Sequence, residues 1–371
     1  MTNDSPTAIT GVSGTYELAV DGSPTVITAV STDPEGFPLT WSFATSGLGY
    51  IATVGQGTVE GYAIANASIL SGTYTINANS AALTFKPDGT EMFTVSTNND
   101  RVGRFTLSTA WDISTATYVT SSPNTITQVS NLTDVKFNND GTKVFVSSQE
   151  NKIYEFNLPT PFTLKGINYV AGSETALAEN FDFNGDGTKL FTIPDTTTNQ
   201  ILKEFTLDNA YDVTSSTLVR STDLSSIIVS NADTNTNDVP KSLMFSKDGS
   251  MMFVLLITNF DKKSQNLNFT DMIFQFKLAV PFDTSTLKFV GSSVVTSGFA
   301  DGSGDATFDY TQGFAISPHG DKLFLISELG GPTAIGQDSL AQIKLSCFFG
   351  IGVCRTDIVS GIGSHVETAK R

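Results

Sequence analysis

The sequence predicts an all-β protein, a β-propeller of about five four-stranded blades preceded by a short β-sandwich-like segment. Three observations predict it. A hairpin string recurs five times: "FKPDGTEMF" at 85, "FNNDGTKVF" at 137, "FNGDGTKLF" at 183, "FSKDGSMMF" at 245 and "ISPHGDKLF" at 316. A second string follows each copy: "VGRFTL" at 102, "IYEFNL" at 153, "LKEFTL" at 202, "IFQFKL" at 273 and "LAQIKL" at 340. Charged residues are only 16% of the 371, with Ser, Thr, Asn and Gly in their place, a balance that suits an exposed β protein.

Taken in chain order, residues 1–60 hold the alternating strands "TYELAV", "TVITAV" and "LTWSFA", separated by "DGSP" and "DPEGFP" turns. That is the pattern of part of a small β-sandwich. Residues 61–350 carry the blades. In each hairpin a first apolar anchor (Phe85, Phe137, Phe183, Phe245, Ile316) lies four residues before a glycine and a second (Phe93, Phe145, Phe191, Phe253, Phe324) four after it. Asp-Gly closes four of the turns and His-Gly the fifth, Asp favouring the turn and Gly supplying the positive φ of a type I turn with a G1 bulge.

The third strand alternates as a half-buried strand must, Phe105 and Leu107 sharing one face. A turn signature then leads into a fourth strand: "STAWDISTATYV" at 108, "PTPFTLKGINYV" at 159, "DNAYDVTSSTLV" at 208 and "AVPFDTSTLKFV" at 279. Four strands per unit at a blade-sized period is the signature of a propeller. The fifth copy runs instead into "CFFGIGVC", so its fourth strand is expected from "NASILSGTYTI" at 66–76, closing the ring without an open edge. A degenerate sixth blade stays open. Residues 351–371 have no counterpart in the repeats and read as a tail.

In such a blade the first-to-second and third-to-fourth turns share one face, and the other two connections share the opposite face. The first set reads as short and uniform. The long connections "ITNFDKKSQNLNFTD", "SELGGPTAIGQDSLA", "STDLSSIIVSNADTNTNDVPKS" and "SSVVTSGFADGSGDATFDYTQG" all fall in the second set. Connections of this length in a compact domain are usually functional or disordered. Their aromatics among polar residues give the candidate ligand- or partner-binding set Phe260, Asp261, Asn266, Asn268, Phe269, Phe299, Asp301, Asp305, Phe308 and Tyr310. The competing reading is that these aromatics only pin the loops to the rim.

The formal charge of −16 argues against nucleic acid and anionic membrane as partners. Met1-Thr2-Asn3-Asp4 opens without a positive or an apolar region, so no Sec-type signal peptide is expected. The apolar run "MMFVLLI" at 251–257 is far short of the ~20 residues that span a bilayer. Cys347 and Cys354, the only cysteines, exclude a four-cysteine zinc site and leave one disulfide or two thiols equally open.

Neither histidine fits a Ser-His-Asp triad, since His319 replaces a turn Asp and His365 lies in the tail. "DFNGDGT" imitates the start of an EF-hand through Asp182, Asn184 and Asp186, but Ile193 stands where a bidentate Glu is needed. No metal, no catalytic residue and no cofactor are expected, although a glycosidase-type carboxylate pair is not ruled out by spacing.

The stretch "TYELAVDGSPTVITAVSTDPEGFPLTWSFATSGLG" resembles the cadherin-like, immunoglobulin-type modules of virion structural proteins of marine tailed phages. "FKPDGTEMF" and "AWDIST" are similar to propeller repeats of the same protein class. The module is cut short here, passing through "YIATVGQGTVEGYAIANAS" into the first blade, so residues 1–60 are either a partial module or an arm that docks on a neighbouring subunit, and the calcium that such modules imply at Asp33 and Glu35 of "DPEG" is a weak signal. The resemblance implies a non-enzymatic virion protein (fibre, spike or decoration) located on the phage particle. Its partners would be other virion proteins, further copies of itself, and a host-surface glycan or receptor. Two alternatives stay open: a bacterial cell-surface or extracellular filament adhesin, and a propeller hydrolase of the lactonase or glycosidase kind.

Overall fold

The computed structural model describes residues 69–76, 80–97, 100–122, 129–196, 200–231, 238–258, 270–294, 311–328 and 338–345, all within the compact unit Gly61–Val353. They form a five-bladed β-propeller of antiparallel sheets. Strand β1 (Ile69–Ile76) comes first in the chain but belongs to the last blade. Blade 1 is β2 (Ser80–Phe85), β3 (Glu91–Ser96), β4 (Arg101–Leu107) and β5 (Ala116–Ser121), and blade 2 begins with β6 (Leu132–Phe137), β7 (Lys143–Ser148) and β8 (Lys152–Asn157). Its outer strand is split into β9 (Asn168–Tyr169) and β10 (Thr175–Ala176), both paired with β8.

Blade 3 is β11 (Asn180–Phe183), β12 (Lys189–Ile193), β13 (Ile201–Leu207) and β14 (Ser216–Asp223). A seven-residue helix, α1 (Ser225–Asn231), leads toward blade 4: β15 (Val239–Phe245), β16 (Met251–Thr258), β17 (Thr270–Leu278) and β18 (Leu287–Val294). Blade 5 takes β19 (Thr311–Ile316), β20 (Lys322–Glu328) and β21 (Asp338–Lys344) from the end of the repeats and β1 as its outer strand, Ile69 standing opposite Ile343. The first strands pack in a closed ring, β2 on β6, β6 on β11, β11 on β15, β15 on β19 and β19 on β2. At the last contact a Cβ on Gly313 would lie 2.9 Å from the Ala81 carbonyl oxygen, so only glycine lets β19 approach β2 this closely.

The repeated Phe anchors are the mortar between blades. The second-strand Phe of one blade packs on the first-strand Phe of the next, with centroids 4.5 Å apart for Phe93 and Phe137, 4.8 Å for Phe145 and Phe183, 4.3 Å for Phe191 and Phe245, and 4.5 Å for Phe324 and Phe85. Phe93, Phe145, Phe191, Phe253 and Phe324 are fully buried. Each contributes roughly 1.5–3 kcal/mol of burial. The two anchors of one hairpin therefore face opposite neighbours, which is how a repeat closes into a ring.

The turn glycines carry φ near +70° and have a second task. Four residues past the leucine at the end of the third strand (Leu107, Leu207, Leu278) or just beyond it (Leu158), Trp111, Tyr211, Phe282 and Phe162 take left-handed φ between 55° and 60°. Each lays its ring on the glycine of its own blade's hairpin, where an added Cβ would lie 2.1–2.3 Å from ring atoms of Trp111, Phe162, Tyr211 and Phe282 in turn. The backbone N–H of each aromatic donates to that glycine's carbonyl, at 3.0, 2.9, 2.8 and 3.0 Å. Asp88, Asp140, Asp186 and Asp248 hold the turn by accepting from the backbone N–H and hydroxyl of Thr90, Thr142, Thr188 and Ser250. These latches tie the third-to-fourth turn of blades 1 to 4 to the hairpin of the same blade on the short-turn face.

Candidate functional site

All ten residues of the long-loop set, Phe260, Asp261, Asn266, Asn268, Phe269, Phe299, Asp301, Asp305, Phe308 and Tyr310, lie outside the described residues. Cys347, Cys354, His365, Asp33 and Glu35 lie outside them too. The strand ends Thr258 and Thr270 that bracket one long connection are on the face opposite the latches. His319 is exposed at the fifth hairpin turn.

The EF-hand imitation is absorbed by the hairpin. The carboxylate of Asp182 accepts from the N–H groups of Phe183 and Phe245, at 3.0 and 2.8 Å. Asn184 accepts from the Lys189 N–H and donates to the Thr188 hydroxyl, and Asp186 holds Thr188. Among the described residues no group of three or more His, Cys, Asp or Glu is placed to hold a metal ion.

Two of the ionisable constellations among the described residues bear on a site. The first lies on the inner strands, where Asp134, 2% exposed, accepts from the N–H groups of Val135 (2.7 Å) and Phe181 (3.4 Å) and stands 3.8 Å from the Lys136 ammonium. Burial pushes its carboxyl up to about 6, against the pull of Lys136 and of the two N–H groups, and the neighbouring charge of Asp182 adds to the rise. Burial also raises Asp182, again against Lys136. Each carboxylate reaches a backbone N–H of the next inner strand, so the pair ties blades 2, 3 and 4 together around the axis.

The second constellation lines a cleft of about 400 Å³ between blades 2 and 3 on the latch face. Its floor is the Lys143–Glu155 ion pair, 2.7 Å long, with the Glu155 side chain only 6% exposed. One wall is the turn Val170–Ser173 that splits the outer strand of blade 2, held by Val170 N–H to the Glu155 carbonyl (3.0 Å) and Ser173 N–H to the Val170 carbonyl (3.1 Å). The other wall is the blade 3 turn with Asn209, Asp212 and Thr214. Asp212 caps a 3-10 turn, its carboxylate accepting from the Thr214 N–H and hydroxyl, and these hydrogen bonds, the hydroxyl first, hold its pKa below the ordinary value against partial burial.

The third-to-fourth turns are not uniform, contrary to the sequence reading: blade 2 uses residues 158–167, against the shorter 108–115, 208–215 and 279–286 of blades 1, 3 and 4, and the outer strands differ as well. In blades 1, 3 and 4 the outer strand passes this point with a one-residue bulge, between Arg104 and Phe105, Glu204 and Phe205, and Gln275 and Phe276 of the paired strand. In blade 2 the excursion runs to several residues and opens the cleft. The cleft residues went unread in the sequence although a signal existed: Lys143, Lys189 and Lys322 each stand two residues past the turn glycine, and Glu155 and Glu204 each precede the third-strand Phe.

Lys143 also donates to the Tyr211 carbonyl of the next blade (3.3 Å), as Lys189 does to Phe282 (2.7 Å) and Lys322 to Trp111 (2.8 Å). In blade 4 the same position is Met251, and the stretch of blade 5 that would face it lies outside the described residues.

No family model matches the chain, and no curated protein matches it. Solved structures that resemble it include a functionally unknown protein from Desulfotomaculum acetoxidans DSM 771, 16% identical over 66% of this chain and 64% of that one, with a TM-score of 0.37. The chain thus spans less than two thirds of that protein's length. Others are a luciferin-regenerating enzyme (10% identity, 78% and 99% coverage, TM-score 0.40) and the β-propeller domain of Cps50 (Swd1) from Myceliophteria thermophila (10%, 76% and 100%, 0.38). None of these likenesses extends to the chemistry of this chain.

Proposed function

We propose that the protein is a non-enzymatic structural component of a tailed-phage particle, a fibre, spike or decoration protein whose propeller presents its long-connection face to a host surface or a neighbouring subunit. The observation that carries the reading is the polarity of the propeller. Ile69, the first described residue, stands opposite Ile343, and Leu345, the last, donates its N–H to the Asp321 carbonyl beside the fifth hairpin turn. Both ends of the described propeller therefore lie on the latch face. The strand ends that flank connections 259–269, 295–310 and 329–337 lie on the other face.

A repeat-built base with variation confined to the far side is what a display module requires, because loops change without disturbing the scaffold. The test is mass-spectrometric identification of the protein in purified particles, with negative-stain labelling by an antibody to residues 254–272. Label at a fixed site on particles is expected. Absence from particles with label on cells or free filaments overturns the phage reading in favour of an adhesin.

A hydrolase reading has one observation in its favour, the Asp134 and Asp182 pair on adjacent inner strands with both carboxyls raised. A general acid must reach its substrate, however, and the Asp134 carboxylate is buried with both oxygens held by backbone N–H groups. Hydrolysis of a lactone or glycoside panel that disappears in Asp134→Asn would reverse this ranking.

A further inference from the structure

We propose that the cleft between blades 2 and 3 is a receptor for a planar guanidinium cation, presented by an arginine side chain of a partner protein. The chain itself holds the precedent at the next junction. There Lys189 pairs with Glu204 at 2.7 Å, just as Lys143 pairs with Glu155, and Asp283 caps its 3-10 turn just as Asp212 does. Between those two carboxylates stands Arg220, its guanidinium 3.9 Å from Glu204 and 3.8 Å from Asp283.

Arg220 comes from the outer strand β14, opposite Glu204. In blade 2 that stretch of outer strand is replaced by the turn Val170–Ser173, and no arginine is delivered between Glu155 and Asp212. The space it would fill is the cleft.

Charge and geometry agree on the occupant. The walls and floor carry two carboxylates and one ammonium, so one added cation brings the site to neutrality. The adjacent lysine is no obstacle, because Lys189 accompanies Arg220 in the occupied version. At the occupied junction Glu204 also accepts from the Thr284 N–H and hydroxyl, at 3.1 and 2.6 Å. In blade 3 the matching turn residue is Val213, which has no hydroxyl, so Glu155 has more acceptor capacity to offer a ligand. A fork of N–H donors suits two carboxylates set apart better than a point-charge ammonium does. A volume of about 400 Å³ falls within the range of small-ligand sites, and the total charge of −16 favours basic partners generally.

The test uses the full chain, with agmatine, N-acetyl-arginine methylamide, its citrulline counterpart and a blocked Gly-Gly-Arg-Gly-Gly peptide as probes in NMR titration. Saturable binding of the guanidinium probes, at least tenfold tighter than citrulline, is expected. It should weaken at least tenfold in Asp212→Asn, which keeps the capping oxygen, and in Ala171→Trp, an exposed position that blocks the mouth without touching the core.

A preference for the peptide over agmatine assigns a protein partner, and equal affinity assigns a small guanidinium compound of the same chemistry. Citrulline binding as tightly as arginine overturns the proposal. So does guanidinium binding that is absent, or unchanged in Ala171→Trp. The outcome is independent of whether the protein is found on particles.

Discussion

Replacing Asp134 by Asn should remove a pH dependence built into the axis of the propeller. Asp134 titrates near about 6 in the folded protein against 3.8 for an ordinary aspartate. A folded-state pKa raised above the unfolded one means that the folded state holds its proton longer. As pH rises from about 4 to about 6 the unfolded chain loses the proton first, and stability falls; the loss is complete above about 6. The gap of about two pH units corresponds to roughly 3 kcal/mol, at 1.36 kcal/mol per unit.

Asn keeps an oxygen to accept from Val135 or Phe181 and cannot ionise, while Lys136 keeps the attraction of Asp182. Urea unfolding of both proteins from pH 4 to pH 8 provides the assay. The variant should gain on the wild type by roughly 3 kcal/mol between pH 4 and pH 7. A difference that stays constant with pH, or that moves in favour of the wild type, refutes the reasoning. The surface aspartates do not confuse the result: Asp140, Asp186 and Asp212 have lowered values, so they act below pH 4 and cancel between the two proteins.

Three further changes test the repeat. Gly187→Ala forces a Cβ to 2.2 Å from the Tyr211 ring at φ +72°, and left-handed strain plus overpacking should cost about 2–5 kcal/mol by urea unfolding. Lys189→Met removes the 2.7 Å partner of the Glu204 carboxylate, which is 3% exposed, leaving it Arg220 at 3.9 Å and the Thr284 donors, and should cost about 1.5–3 kcal/mol. Adding Glu204→Gln should recover part of that loss, because blade 4 itself carries Met251 and Gln275 at these positions. Phe349 stands four residues after Leu345 as Phe282 stands four after Leu278, and although Phe349 lies outside the described residues, Phe349→Ala should lower the unfolding midpoint as far as Phe282→Ala does.

The five hairpins were legible because a turn glycine with two flanking apolar anchors, Phe at all but Ile316, leaves a local, fixed-spacing mark, and blade count followed from them. What joins the hairpins was not legible. Trp111 and Gly89 lie in different turns, and nothing in either string says that one covers the other. The partner of Lys143 is a carbonyl in the next blade, and a carbonyl has no letter in a sequence. Asp134 and Asp182 hide among the anchors because a strand pattern records only the side a residue faces. Blade 2 misled for a different reason. "GINYV" reads as one strand, and only the pairing of Thr175 with Ile153 shows that the strand breaks and resumes. The long-loop residues, where sequence placed binding, belong to connections whose lengths mark variation without defining shape.

Strand β1 also sets a timetable. It is the first propeller strand to leave the ribosome, and its partner β21 is the last, so the nascent chain carries an unpaired strand through the synthesis of every other blade. Holding the two ends together costs little at equilibrium, since loop entropy grows only with the logarithm of length. The burden is kinetic: contacts this distant in sequence form slowly, and blade 1 keeps its Phe85 and Trp111 surface bare until Phe324 arrives. A chain that halts short of β20 exposes both a sheet edge and an aromatic patch. That gives quality control in the producing cell a direct way to tell finished molecules from unfinished ones.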